Sequence, residues 1–136
     1  MINDKHVYIT KYSSHHENDI FDLMRREGEE WEGYWGSNRK KYKNALESSI
    51  TYLLYNDTQL CGFARCRNDD GFGLYIYDLL VDQKHRGNEY GQLLMDQVCE
   101  DFPDDIVYVM SDVDVYYQKL NYKKEGSIFI VSQKTT

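Results

Sequence analysis

No run in these 136 residues is long and apolar enough to span a membrane, and no repeat or low-complexity linker divides the chain. Proline occurs once, at Pro103. Cysteine occurs three times, as Cys61, Cys66 and Cys99; the odd number argues against a closed disulfide framework, and the spacing matches no metal-ligand pattern, so no metal site is expected. The polar start MINDKH has the makings of neither a signal peptide nor a transit peptide. These absences point to a cytoplasmic protein without a membrane anchor. An excess of positive charge is missing too. A net charge of −7 gives no general grip on nucleic acid or anionic lipid, while it attracts a cationic small molecule.

What remains is a chain rich in core material. Hydrophobic residues make up 41% and aromatics 15%, with 13 tyrosines, far more than a disordered segment carries. The length suits one domain, residues 1–136.

Periodicity gives the order of elements. VYITKY at 7–12 is β-rich, and Ser14 with Glu17 has capping-box spacing for a helix that buries Ile20, Phe21 and Met24 and ends near Gly28. The adjacent His15 and His16 read as a solvated turn. From Asn38 a second helical pattern carries Tyr42, Ala45, Leu46 and Ile50. TYLLYN at 51–56 and QLCGFARCR at 59–67 are joined by Asp57 and Thr58, which reads as a hairpin; the turn signal NDDGFG then precedes LYIYDLLV. A third helix follows, with Tyr90, Leu93, Leu94 and Val98 on one side and a stop near Phe102 and Pro103. Because IVYVM succeeds it directly, the strands on either side of this helix can lie parallel through a right-handed crossover. Ser111 and Asp114 have the spacing of a cap for a short helix ending around Leu120, and SIFIV reads as a final strand.

Two stretches stand out chemically. EGEEWEGYWG, residues 27–36, has no clean period and mixes Glu27, Glu29, Glu30 and Glu32 with Trp31, Tyr34 and Trp35. A flexible aromatic loop of this kind suits closure over an amine through ion pairing and cation–π contact; equally, its tryptophans can plug the core while its glutamates face water. The second stretch, DLLVDQKHRGNEYGQLL at 78–94, runs strand, glycine-punctuated turn, helix. Unsatisfied amides and the helix dipole make such a helix start hospitable to an anion, and Lys84, His85 and Arg86 add cationic character; a plain tight turn is the ordinary alternative.

Arg86 and Gly91 fit the ends of a pattern of Gln or Arg, two free residues, Gly, one free residue, then Gly or Ala, with Glu89 at the middle glycine. Downstream, VYYQKLNY at 115–122 matches a second pattern, often FYEKLGF, and places Tyr117 on its tyrosine. The chain therefore resembles the Gcn5-related N-acetyltransferases. The resemblance implies a single α/β domain with a mixed, mostly antiparallel sheet, whose parallel fourth and fifth strands splay apart between flanking helices. It implies an enzyme that moves an acetyl group from acetyl-CoA, its co-substrate, to a primary amine, with a homodimer as one available assembly.

By the same resemblance, the backbone of Leu79, Leu80 and Val81 would hold the pantetheine arm, and Arg86, Gly87, Asn88, Glu89, Tyr90 and Gly91 the pyrophosphate. Glu89 would weaken that grip by repulsion. Tyr117 would be the general acid, its alternative being core packing beside Val113, Tyr116 and Leu120. Asp78, at the end of the fourth strand, is the candidate base, with Glu30 and Asp112 as weaker substitutes and a hydrogen-bonded structural role as the alternative. Glu30, Trp31, Tyr34 and Trp35 would receive a small cationic amine. A non-catalytic acyl-CoA-binding module and a protein acetyltransferase are the competing functions.

Overall fold

The computed structural model describes residues 6–132. Its centre is a meander: β1 (Val7–Lys11), β2 (Ile50–Asn56), β3 (Gln59–Asn68) and β4 (Leu74–Val81) pair antiparallel in sequence order. The β2–β3 hairpin turns at Asp57, which takes a φ of 54°, a left-handed conformation that aspartate tolerates better than most residues. The next turn uses Gly73 at φ +127°, where a Cβ would lie 2.9 Å from the Tyr108 ring and 3.0 Å from the Tyr75 ring; glycine is what lets those rings stack, with centroids 4.8 Å apart. β5 (Val107–Val109) closes the sheet parallel to β4, as the strand–helix–strand order allows.

Helices cover both faces. α1 (Glu17–Glu27), the single-turn α2 (Glu32–Trp35) and α3 (Arg39–Ser48) pack on one side through Ile20, Phe21, Leu23, Met24, Tyr42 and Leu46, against Leu53, Phe63 and Leu80 of the sheet. Each large apolar side chain buried this way contributes about 1.5–3 kcal/mol. On the other side α4 (Tyr90–Asp101) buries Tyr90, Leu94, Met95 and Val98 against Leu54, Ala64 and Ile76; α5 (Asp114–Lys119) adds Tyr117 to the same layer. No helix among the described residues is long and apolar enough to cross a membrane.

Four details differ from the sequence reading. The cap falls one residue early and on a 3₁₀ turn (Ser14–His16) that leads into α1: the Ser13 N–H donates to His16 Nδ1 at 2.9 Å, which gives His16 a structural role. Ile50 opens β2 instead of closing α3. Residues 27–36 are not a loose loop but a 3₁₀ turn (Glu29–Trp31) running into α2, two single turns too short to show a period. SIFIV forms no strand: Ile128, Phe129, Ile130 and Val131 are all at least 70% exposed. Strand propensity without a hydrogen-bonding partner is not enough, and β5, three residues long, offers little edge to pair with.

Candidate active site

The site begins where β4 and β5 part. They pair only at Leu74 with Val107, Tyr75 with Tyr108 and Ile76 with Val109, after which Met110 N–H donates to the Ile76 carbonyl. A β-bulge sits at this point: Arg65 pairs with Asp78 and Cys66 with Ile76, so Tyr77 is the extra residue. Beyond it β4 keeps β3 on one side, through Gly62 to Arg65, and loses β5 on the other. The Asp82 N–H donates to Cys61, so by strand alternation Leu80 also bonds toward β3, while the N–H groups of Leu79 and Val81 point into the gap. An extended ligand can pair there as one more strand.

The gap is bounded by the turn into α4. Asp82, 4% exposed, anchors it: one oxygen accepts from Lys84 N–H at 3.2 Å and the other from Arg26 at 2.8 Å. Burial alone would raise the Asp82 pKa, but these donors hold it below the usual value. Arg86 is tied down as well, donating through Nε to the Val81 carbonyl at 3.0 Å and through Nη2 to Glu27 at 2.9 Å. It therefore bounds the far end of the open edge at the Val81 carbonyl and clamps the turn to α1. Asn88 Nδ2 donates to the His85 carbonyl, stiffening the bend. Gly87 takes φ +90° and Glu89 φ 62°; Glu89 thus occupies a backbone conformation that glycine adopts without strain. The first helical bond runs from Leu93 to Glu89, leaving the Gly91 and Gln92 amides ahead of the ladder, at the positive end of the dipole. A Cβ on Gly91 would meet the Tyr116 phenol oxygen at 2.6 Å.

Tyr117 and Tyr116 are placed differently. Tyr116 brings its oxygen to the glycine turn, a placement that the motif alone does not give. Tyr117 packs in the α4 layer, edge-on to Tyr116 at 4.9 Å and stacked on Tyr122 at 6.5 Å. It lines a cleft of about 1010 Å³ between β5, α4, α5 and the segment that follows. Burial, with Tyr116 and Asp112 adding to it, raises its pKa to about 12, so its phenol keeps its proton at neutral pH. The α5 cap differs from the spacing: the helix starts at Asp114 behind Val113 with no side-chain cap bond, and Ser111 Oγ donates instead to the Asp114 carboxylate at 2.9 Å.

Asp78 lies on the opposite face, next to the bulge. Its Oδ2 accepts from Arg65 Nε at 2.6 Å and from the Tyr42 hydroxyl at 2.7 Å, with both side chains of the ion pair largely buried. Burial and the carboxylate raise the Tyr42 pKa well above its ordinary value. For Arg65, burial works the other way but is outweighed by Asp78. Sequence reading missed both partners. An arginine inside the apolar run QLCGFARCR was a signal, but naming its partner requires the strand register.

The aromatic segment roofs this face. Tyr34 lies 4.7 Å from Tyr42 and 5.3 Å from Trp31, and Trp31 meets Phe63 edge-on. Trp35 donates its indole N–H to the Gly28 carbonyl at 3.1 Å and packs on the core. Of the glutamates, Glu27 holds Arg86 and Glu32 accepts from Ser37 N–H, whereas Glu29 and Glu30 are exposed. Trp31, Tyr34 and Asp78 are brought together; Trp35 and Glu32 are engaged in local structure.

The splayed sheet, open strand edge and glycine turn define an α/β domain shaped to take an extended, anion-bearing ligand between two strands. Residues 18–122 match the acetyltransferase (GNAT) family, and the chain belongs to that family. Over 96 residues it is 31% identical to the uncharacterized N-acetyltransferase ycf52 of Porphyra purpurea, a match covering 63% of this chain and 55% of that protein. The chain thus spans about half the length of that relative. Among solved structures it superposes on an aminoglycoside acetyltransferase from an uncultured soil sample, in complex with trehalose, with a TM-score of 0.74 at 16% identity, covering 96% of this chain and 99% of that one. The aminoglycoside N-acetyltransferase AAC(6')-Iy in complex with CoA gives 0.73 at 13% identity, with 99% of each chain covered. At such identities the likeness is one of fold.

Proposed function

We propose that this chain is a cytoplasmic enzyme that transfers the acetyl group of acetyl-CoA to the primary amine of a small molecule, received as the ammonium form. The observation that carries this reading is the open edge of β4 from Leu79 to Val81, which runs into the glycine turn. Acetyl-CoA supplies an activated thioester. Leu79 and Val81 hold its arm by backbone bonds, an amide there polarises the carbonyl, and the amides of the Gly87 to Gly91 turn face the pyrophosphate. Trp31 and Tyr34 present ring faces to the ammonium, with Glu30 adding charge at the rim. Asp78, directly or through water, takes a proton from it. The amine then forms the new C–N bond as the C–S bond breaks, Tyr117 protonates the departing thiolate, and the proton shed by the new amide nitrogen returns through solvent to Tyr117.

Release of free coenzyme A on mixing the protein with acetyl-CoA and a panel of amines tests the reading. Amine-dependent thiol release supports it. Saturable acetyl-CoA binding by calorimetry with no release from any amine would instead establish a non-catalytic acyl-CoA-binding module. The left-handed backbone at Glu89 and the engagement of Arg86 by Glu27 favour that second reading.

A further inference from the structure

Beside Asp78 lies a second polar cluster that the acetyl-transfer reading does not use. Arg65 and Arg67, two residues apart on β3 and so on the same face, both donate to the Ser49 hydroxyl, at 3.2 and 3.4 Å. Asp78 answers the charge of Arg65, but Arg67 enters no ion pair among the described residues. Two guanidinium groups converging on one oxygen with one carboxylate between them leave a net positive spot on a chain whose charge is −7. Tyr75 and Tyr77, stacked at 6.2 Å, flank it, and the Arg65 guanidinium lies 5.7 Å from the Tyr77 ring.

We propose that this cluster is the seat for an anionic group on the acceptor, so that the substrate is a small amine also carrying a carboxylate or phosphate. The inference rests on the acetyl-transfer reading for the position of the amine. Arg65 pairs across to Asp78 and Arg67 to Tyr75, so the Arg67 backbone stands about 7 Å along the strand from the rung where the amine loses its proton, with its guanidinium on the Ser49 hydroxyl. The fork geometry of arginine suits either oxyanion through paired N–H bonds.

Matched amines test it: 5-aminopentanoate against pentylamine, and 4-aminobutyl phosphate against 4-aminobutanol. The wild type should favour the anionic member of at least one pair by about tenfold or more in kcat/KM, and the favoured pair tells carboxylate from phosphate. Arg67→Gln should abolish the preference through KM while leaving the neutral amines unchanged, and Arg67→Lys should retain part of it. Equal rates within both pairs, or a preference that survives Arg67→Gln, overturns the proposal. A readout independent of turnover is the NMR signal of the Arg67 side-chain N–H on titration with inorganic phosphate and with 5-aminopentanoate. A saturable shift lost in Arg67→Gln is expected, and no shift with either overturns the seat. Should no amine be acetylated while that shift is present, the transfer reading fails and the anion seat stands.

Discussion

The two edges of β4 are made of the same residues and do opposite work. Toward β3 the strand is paired from Leu74 to Val81, with the Tyr77 bulge its only irregularity; toward β5 it is paired only from Leu74 to Ile76. The first edge fixes Asp78 against Arg65 and Tyr42 within a largely buried network. The second leaves backbone donors at Leu79 and Val81 facing a gap, a cost the fold accepts only where something else can pair. A strand finished on one side and open on the other is how a rigid sheet presents main-chain hydrogen bonds to a ligand.

Substitutions on the open side should act on chemistry while sparing the fold. Tyr117→Phe keeps the packing on Tyr116 and Tyr122 and removes one proton. Turnover at saturating substrate should fall about 10²-fold or more, with thermal unfolding little changed. Because the Tyr117 pKa is raised to about 12, loss of this acid should not limit the wild-type rate until well above pH 10, which a pH profile of kcat will show. Undiminished turnover in the variant removes Tyr117 from the mechanism.

On the finished side the effect should fall on stability, with loss of the proposed base added to it at Asp78. Asp78→Asn strips the counter-charge from Arg65, whose side chain is 16% exposed, and should cost about 3 kcal/mol in urea unfolding. A cost below about 1 kcal/mol would mean that the network is looser than its distances imply. The buried phenols add a pH dependence with a definite sign. Tyr42, Tyr52 and Tyr55 all have pKa values raised by burial and by carboxylate neighbours. In the unfolded chain they titrate near 10, so their contribution is complete below about pH 10 and is lost as pH climbs toward the folded values. Tyrosinate absorbance and unfolding followed together should show ionisation coinciding with loss of structure.

The smallest effects are at the turn that joins the two sides. Gly91→Ala should gain helix propensity but push on the Tyr116 hydroxyl, and Tyr116→Phe should relieve that contact. The pair should be non-additive by about 0.5 kcal/mol or more, whereas simple additivity would mean that Tyr116 moves freely. Glu89→Gly trades a left-handed strain of about 1–2 kcal/mol for the added chain entropy of glycine, about 0.5–1 kcal/mol. A gain of roughly 0.5 kcal/mol in stability should therefore accompany tighter coenzyme A binding. Weaker binding in a folded variant would show that the carboxylate is no hindrance.

How much of this was legible in the sequence depends on how far apart the interacting residues lie. α1, the meander, α4 and the short α5 were readable because each is set by spacing within a few residues. Element order allowed the parallel β4–β5 pair, and the family resemblance implied it. The Glu27 clamp on Arg86 joins residues 59 apart, and the Tyr42 bond to Asp78 joins residues 36 apart; no local pattern announces either. Residues 27–36 defeated periodicity because two single turns meet there. SIFIV misled because its β-rich composition speaks to a strand's suitability and not to the presence of a partner. The motif positions Arg86 to Gly91 and Tyr117 could be picked out in the sequence, while the approach of the Tyr116 hydroxyl to Gly91 required the path of α5.

The central claim is that Leu79 and Val81 offer main-chain bonds to coenzyme A across the open edge of β4. Amide hydrogen exchange with and without saturating coenzyme A measures this at single residues. The account predicts strong slowing at Leu79 and Val81, with little change at Leu80, which is already bonded to β3. Binding seen by calorimetry with exchange at Leu79 and Val81 unaltered would contradict it.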